Sequence, residues 1–227
     1  MPLSRLEQAI ASLAPASVLD VGCGCGRHFT STLSRLCPRV VAIDIVPNLA
    51  RWPEVSRSTG VSFCAMDARS LGFPSHAFPL VIERAALHHI ADWQLALAEM
   101  VRVSSDGVYL EEPVDDLRSD AKRRAFEAQS LLLELQAEVG FPHYRHLEHD
   151  ALTSAVESRA SLVESHLVQS DAPVTFDEFF DGFATFASRS QREGYWLDQL
   201  ETLRTKFGGA PLCEDDTLTI LAKVREA

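Results

Sequence analysis

The sequence predicts an α/β fold: a doubly wound, mostly parallel seven-stranded sheet, with helical insertions after strand 5 and between strands 6 and 7. Three observations lead there. Strand-like and helix-like segments alternate through the first 113 residues. The strands are continuous apolar runs rather than alternating ones, as expected where helices cover both faces of a parallel sheet. Right-handed crossovers then leave few topologies. The second half departs from this alternation, and the stretches 114–148 and 172–213 read as additions to the sheet core.

Each element follows from its pattern. Leu3, Leu6, Ile10 and Leu13 recur at helical spacing in an opening amphipathic helix. The run 17–21 is strand 1; a glycine cluster follows, then a helix carrying Phe29, Leu33 and Leu36. Residues 39–44 make strand 2, followed by a helix with Leu49, Trp52 and Val55. Strand 3 covers 61–66, strand 4 contains Leu80-Val81-Ile82, and residues 92–103 have helical spacing. Val108-Tyr109-Leu110 makes strand 5, ended by Pro113. A long helix over 118–139 carries Ala121, Ala125, Ala128, Leu132, Leu135 and Val139 along one seam. A helix over 150–160, a strand over 161–168, an aromatic-rich helical segment over 175–207 and a final strand over 216–224 complete the chain.

With 227 residues, 46% hydrophobic and 23% charged, the whole chain fits one domain with inserted helices. Its formal charge of −11 excludes a phosphate-backbone partner of the usual kind, which needs a clustered cationic surface. Lys122-Arg123-Arg124 is the densest basic run and reads as a solvated helix face. The five cysteines form no regular framework, which suits a reducing compartment. No apolar run approaches the ~20 residues that span a bilayer, and the N-terminus lacks a secretory layout. A cytoplasmic protein with a small-molecule partner, and neither nucleic acid nor membrane, is expected.

The segment Asp20-Val21-Gly22-Cys23-Gly24-Cys25-Gly26 lies between a strand and a helix. Glycines there permit a tight turn and close backbone approach to a ligand, and the following helix adds a positive end. A dinucleotide loop would place glycine at position 27, which is Arg27. The pattern present is D-x-G-x-G-x-G. An acid before the first glycine repels a diphosphate and tolerates a cofactor bearing an ammonium group and no phosphate. Cys23 and Cys25 read as small packing residues. Asp44 ends strand 2, 20 residues beyond Gly24, where an acid can accept from ribose hydroxyls or simply cap a turn. Asp67-Ala68 follows strand 3, where an acid can accept from an exocyclic amine or, again, cap a turn.

Val18-Leu19-Asp20-Val21-Gly22-Cys23-Gly24, Val41-Ala42-Ile43-Asp44 and Met66-Asp67-Ala68 through Leu71-Gly72-Phe73-Pro74 resemble the ordered motifs of class I S-adenosylmethionine-dependent methyltransferases, whose fold is Rossmann-like. Leu87-His88-His89-Ile90-Ala91-Asp92, Glu99-Met100-Val101-Arg102-Val103 and Val108-Tyr109-Leu110-Glu111-Glu112-Pro113 are similar to the small-molecule branch that includes ubiquinone and menaquinone biosynthesis enzymes. The resemblance covers residues 15–113 and the last strand. It implies that 1–113 is the cofactor-binding half and that 114–148 and 172–213 are lid insertions. Asp20, Gly22 and Gly24 would line the methionine part of S-adenosyl-L-methionine, Asp44 the ribose, and Asp67 and Ala68 the adenine. Glu83 and Arg84 would pass near the sulfonium, Arg84 on the acceptor side. Pro79 departs from the family, whose relatives carry an aspartate before strand 4.

Methyl transfer from a sulfonium is an in-line displacement that needs alignment and exclusion of water, plus a base only when the acceptor arrives protonated. His88 and His89 are the catalytic candidates, since imidazole takes up a proton near neutral pH; one of them can equally serve only to fix the loop. His143 and Tyr144 belong to a polar loop, 143–149, read as bordering the acceptor, as a solvated loop, or as a metal-ligand run that no cysteine or second acidic cluster supports; no metal is expected. Phe176, Phe179, Phe180, Phe183 and Phe186, with Tyr195 and Trp196, read either as core or as an apolar lid. Transfer to an O, N or C atom of a small acceptor is the expectation. The alternatives are a protein or RNA acceptor, a nicotinamide oxidoreductase, which Arg27 disfavours, and a non-catalytic binder of the same fold.

Overall fold

A computed structural model describes residues 4–26, 29–46 and 51–225. In chain order the elements are α1 (Arg5–Leu13), β1 (Val18–Val21), α2 (Phe29–Leu36), β2 (Val40–Asp44), α3 (Trp52–Thr59), β3 (Ser62–Ala65) and β4 (Phe78–Arg84). A single 3-10 turn (Leu87–His89) precedes α4 (Trp93–Val103) and β5 (Ser104–Val114). Then come α5 (Asp120–Glu138), α6 (His149–Glu157), β6 (Ala160–Val168), β7 (Pro173–Val174), α7 (Phe176–Phe179), α8 (Phe183–Ala187), α9 (Glu193–Phe207), β8 (Leu212–Cys213) and β9 (Asp216–Val224). Two compact units result: Met1–Glu112 with His149–His166 and Leu218–Ala227, and Pro113–Glu148 with Leu167–Thr217. The stretches read as additions, 114–148 and 172–213, fall in the second unit. Leu3 and Leu49, assigned to helices from sequence, lie outside the described residues.

The first unit is organised by a seven-stranded sheet of order β3-β2-β1-β4-β5-β9-β6. β1 pairs in parallel with β2 on one side and β4 on the other; β2–β3 and β4–β5 are also parallel. Every residue of β1 is buried, which is why it reads as an unbroken apolar run containing one acid. Its flanking by β2 and β4 marks the point where strand order reverses, the place in such sheets where ligands bind beyond the carboxyl ends. Register carries this through: Val21 lies opposite Ile43 and Glu83, and Asp44 opposite Ala65. The acids at the ends of β2 and β4 therefore share one edge with the glycine loop.

Local signals set the helix ends. Ser4 caps α1 in a capping box: the Glu7 N–H donates to Ser4 Oγ at 3.2 Å, and the Ser4 N–H donates to Glu7 Oε2 at 2.7 Å. α1 buries Leu6, Ala9 and Ile10 in a core shared with Val18, Leu33, Val40, Val61, Leu80 and Ile82. Gly60, at φ 75°, closes α3. Pro79 sits where the register of β4 on β5 shifts, between Phe78 and Leu80, so the residue that departs from the family pattern occupies an irregularity that spares a ladder donor.

The segment 175–207 departs from the sequence expectation of one helical stretch: it is three helices, α7, α8 and α9. Gly182, at φ 80°, breaks it first, and residues 188–192 break it again. Periodicity registers the common apolar face but not a turn that keeps that face pointed inward. Phe176, Phe180, Phe183, Trp196 and Phe207 are buried with Ala125, Ala128 and Leu135 of α5, so these aromatics are the core of the second unit. A two-stranded antiparallel sheet, β7 with β8, was not expected; two-residue strands leave no pattern to read.

Lys122 corrects the reading of a solvated basic face. It is 3% exposed and donates to Asp216 Oδ1 at 2.6 Å and to the Glu214 carbonyl at 2.5 Å. Arg118 donates to Asp216 Oδ2 at 2.6 Å, and the Ser170 N–H donates to Oδ1. Arg123 pairs with Asp120, and Arg124 donates to the Pro211 carbonyl. Among the described residues no helix is long and apolar enough to cross a membrane.

Removing one partner of a buried pair strands the other charge. Asp216→Asn is accordingly expected to destabilise by about 3–5 kcal/mol, read as a lowered urea midpoint; an unchanged midpoint would show that Lys122 does not depend on this carboxylate.

Candidate functional site

The loop 22–26 is held in shape by its own N–H groups. Those of Gly22 and Cys23 both donate to the Ile43 carbonyl at 2.9 Å, that of Gly26 to the Cys23 carbonyl at 2.9 Å, and that of Gly24 to Asp44 Oδ2 at 2.9 Å. Phosphate cradles work by aiming free backbone N–H groups at the anion. Here these four are spent within the protein, one of them on a carboxylate. Gly22 sits at φ 77°, and a Cβ there would collide with Ala86 Cβ, so glycine is required on both counts. A Cβ at Gly26 would lie 2.6 Å from the Phe63 ring.

Two aromatic residues that sequence reasoning missed support this loop. Trp52 Nε1 donates to the Gly24 carbonyl at 2.8 Å, and its ring stacks on Phe63 at 5.3 Å with a 14° interplanar angle. Nothing in the sequence links a helix-start tryptophan to a loop 28 residues earlier. Burial pushes the Cys23 thiol far above its usual range, with the charges of Asp20 and Asp44 adding to it, in keeping with a packing role.

Asp20 is buried on β1 and accepts from Thr30 Oγ1 at 2.6 Å. Burial pushes its carboxyl from 3.8 up to about 7; the Thr30 hydrogen bond opposes this and the Asp44 charge adds to it. Asp44 stands half-buried at the end of β2, with Oδ2 on Gly24 and Oδ1 accepting from the Val46 N–H at 3.0 Å. A carboxylate offers about four acceptor sites, so two backbone donors leave capacity for hydroxyl groups.

Asp67 accepts from the Arg69 N–H at 2.9 Å and pairs with its guanidinium at 2.8 Å; the Arg69 hydrogen bond leads in holding this carboxyl below its usual range. It thus serves the turn-capping role, and an adenine amine would meet it beside Arg69. Ala68 is buried next to it. Arg84 pairs with Glu111 at 2.8 Å and lies 5.3 Å from the Phe29 ring centroid.

The densest chemistry is where β4 ends. Glu83 and Glu112 are both 0% exposed, and their Oε1 atoms converge on the same two backbone donors. The Ala86 N–H reaches Glu83 at 2.5 Å and Glu112 at 2.7 Å; the Leu87 N–H reaches them at 3.2 and 2.9 Å. Burial, then the Glu112 charge, pushes Glu83 well above the carboxylate range. Burial acts on Glu112 in the same sense, but hydrogen bonds from Glu83, His88 and the Leu87 N–H outweigh it and hold Glu112 low. Two full negative charges this close and without solvent oppose one another, and the proton is favoured on Glu83 over Glu112. Glu83 Oε2 is buried with no hydrogen-bond partner among the described residues.

His88, 5% exposed, places Nδ1 2.7 Å from Glu112 Oε2. His89 is partly exposed, its ring 4.3 Å from that of His88. The two adjacent histidines are therefore not equivalent: one is locked to a buried acid, the other sits nearer solvent. Sequence reasoning missed Glu112. The available signal was an acid pair, Glu111-Glu112, ending an apolar strand, where alternation turns one carboxylate inward.

In the second unit, His143 Nδ1 lies 2.6 Å from Gln136 Oε1, and Tyr144 is 46% exposed. Asp115, His146 and Asp215 bring one ligand atom each within 4.8 Å of one another, a donor set that could take a divalent cation. The set is also met internally: His146 Nδ1 is 3.0 Å from Asp115 Oδ1, and its Nε2 is 2.6 Å from Gln129 Nε2.

A family model described as a methyltransferase domain matches residues 19–110. An uncharacterized methyltransferase of Mycobacterium tuberculosis is 35% identical over 96 residues, 42% of this chain and 48% of that protein. The chain thus spans about half the length of the curated relatives it matches first. The YcgJ protein of Bacillus subtilis aligns with a TM-score of 0.67 at 20% identity, covering 98% of each chain. The 1,6-didemethyltoxoflavin-N1-methyltransferase of Burkholderia thailandensis, solved with 1,6-didemethyltoxoflavin and S-adenosylhomocysteine bound, aligns with a TM-score of 0.57 at 18% identity, over 98% of this chain and 78% of that one. At these identities the solved structures share the fold.

The Asp20 carboxyl has a folded pKa above its unfolded value, so its contribution to stability is full below about 4 and is lost as pH rises through about 7. Asp20→Asn, which keeps an acceptor for Thr30 without the charge, is expected to flatten the melting temperature against pH across that interval. A parallel decline in both proteins would place the titration elsewhere.

Proposed function

We propose that this chain, whose residues 19–110 match a methyltransferase domain model, is a class I S-adenosylmethionine-dependent enzyme that moves a methyl group to an O, N or C atom of a small molecule. The observation that carries the reading is that four N–H groups of the loop, those of Gly22, Cys23, Gly24 and Gly26, are already spent. A diphosphate would find no free donors on Gly22, Cys23, Gly24 and Gly26, and would face the Asp44 carboxylate. An adenosyl amino acid suits the same place. It brings an ammonium and two ribose hydroxyls, which are donors for acids, and no phosphate.

The residues present fit that cofactor. Gly24 gives its methionine part a backbone surface with no side chain in the way, and Gly22 keeps the loop packed on Ala86. Asp44 keeps acceptor capacity for ribose hydroxyls, and Asp20 lies buried at the strand end behind the loop. Asp67 and Ala68 would border the adenine, with Glu83 at the sulfonium end. When bound, the cofactor supplies an electrophilic methyl group whose thioether leaving group needs no proton. The protein's work is then alignment, exclusion of water and, for a protonated acceptor, removal of one proton. His88 is the base candidate, held by Glu112 at 2.7 Å. In the first unit Arg84 and His89 stand as candidates on the acceptor side.

A small acceptor is supported by the formal charge of −11, unsuited to a nucleic-acid chain, and by the small molecule bound in the toxoflavin N-methyltransferase.

Calorimetric titration is expected to show S-adenosylhomocysteine binding and no NAD binding; binding of NAD alone would reverse the assignment. Asp44→Ala should weaken S-adenosylhomocysteine by about tenfold to a hundredfold, the worth of hydrogen bonds to a charged acceptor. Unchanged affinity would remove the ribose role. If the ammonium settles near Asp20, binding between pH 4 and 7 should release a proton, seen as a heat that varies with buffer ionisation enthalpy.

A further inference from the structure

Glu83 and Glu112 belong to no strand-end pattern read from the sequence as a pair, yet they make the most enclosed ionisable cluster of the first unit. We infer that Glu112 is a positioning residue, which holds His88 as the tautomer protonated at Nδ1, and that Glu83 is the neutral acid making this possible. The inference rests on the methyl-transfer reading for its purpose, though not for its test.

The geometry assigns every atom of Glu112. Its Oε1 accepts from the Ala86 N–H at 2.7 Å and the Leu87 N–H at 2.9 Å, and its carboxylate also takes a hydrogen bond from Glu83. Its Oε2 is 2.7 Å from His88 Nδ1. An ionised carboxylate has acceptors only, so the nitrogen facing it carries the hydrogen. A neutral imidazole has one N–H, and spending it on Glu112 leaves the lone pair on Nε2, the nitrogen on the far side of the ring from the acid. An imidazolium formed by uptake of a proton would sit against the Glu112 charge, keeping the pair neutral overall.

Glu83 supplies the condition. Its Oε1 shares both backbone donors with Glu112, at 2.5 and 3.2 Å, and two full negative charges cannot coexist there without solvent. With Glu83 neutral, Glu112 stays an acceptor toward His88. Were the proton on Glu112 instead, its hydroxyl would compete with His88 for the donor role, and the ring would be free to turn over its tautomer.

Substitution separates the two acids. In Glu112→Gln the amide oxygen must take the place of Oε1, because two N–H groups point there. The amide NH2 then faces His88 Nδ1, and two donors cannot meet, so the ring proton must move to Nε2. In Glu83→Gln the side chain is neutral at every pH, and the contact of Glu112 with His88 is left in place.

The test is two-bond 1H–15N correlation on histidine-labelled full-length protein at alkaline pH, with His88 among the eight histidines assigned by the peak lost in His88→Gln. The wild type is expected to show a protonated, pyrrole-type Nδ1 and a pyridine-type Nε2. Glu112→Gln should interchange the two types, and Glu83→Gln should leave them as in the wild type. A pyridine-type Nδ1 in the wild type overturns the assignment without any variant, so a misfolded Glu112→Gln protein does not rescue it. An unchanged pattern in folded Glu112→Gln removes the positioning role, and interchange in Glu83→Gln removes the neutral-acid role. The spectra need neither cofactor nor acceptor: failure of S-adenosylhomocysteine to bind would sink the methyl-transfer reading and leave this assignment to its own result.

Discussion

The site depends on one close approach, that of Gly22 to Ala86. β1 lies between β2 and β4 in parallel register, and the chain leaves β4 through a turn that passes directly under the glycine loop. Any side chain at position 22 would meet the Ala86 methyl group, so the missing Cβ is what allows loop and turn to pack. The turn is itself constrained: Ala85 takes φ 51°, unusual for a residue with a Cβ, while its N–H is anchored on the Glu111 carbonyl at 2.8 Å. From that anchored bend the Ala86 and Leu87 N–H groups point at Glu83 and Glu112, and His88 follows one residue later. Loop shape, acid pair and histidine are thus consequences of a single steric allowance.

Around that contact the protein concentrates negative charge in places where water does not reach. Asp20, Glu83 and Glu112 are all buried, and Asp44 stands beside them half-exposed. Isolated buried carboxylates are costly, and each here is relieved in its own way. Asp20 is pushed toward neutrality and takes a hydroxyl from Thr30; Glu83 keeps its proton; Glu112 stays ionised on two backbone donors and an imidazole. An environment built this way favours cationic or hydroxyl-rich ligands over phosphates, the same preference that the spent N–H groups of the loop express.

The second unit shows how one composition supports a different construction. Its buried phenylalanines form a core: Phe176 packs edge to face with Phe207 and Phe180 with Phe183, together with Trp196 and small residues of α5. Asp216 then gathers Lys122, Arg118 and the Ser170 N–H into a buried network. Of the basic run of α5, Lys122 is thereby taken inside the protein, while Arg123 stays on the surface.

Most of the sheet was legible in the sequence because it is encoded locally. Continuous apolar runs mark parallel strands, the D-x-G-x-G-x-G spacing marks the loop, and the final strand was placed at 216–224, where β9 lies. The breaks in 175–207 were not legible, since a helical period survives a turn that preserves the buried face. Nor were the partners that act at a distance. Trp52 under the loop, Thr30 on Asp20, Lys122 on Asp216 and Glu112 on His88 are separated in sequence by 10 to 94 residues. By itself the sequence determined the fold and the edge of the sheet on which the candidate site residues gather. Only the tertiary structure decided which acids hold protons and which histidine is locked, because burial and the geometry of backbone donors exist only once the strands are in register.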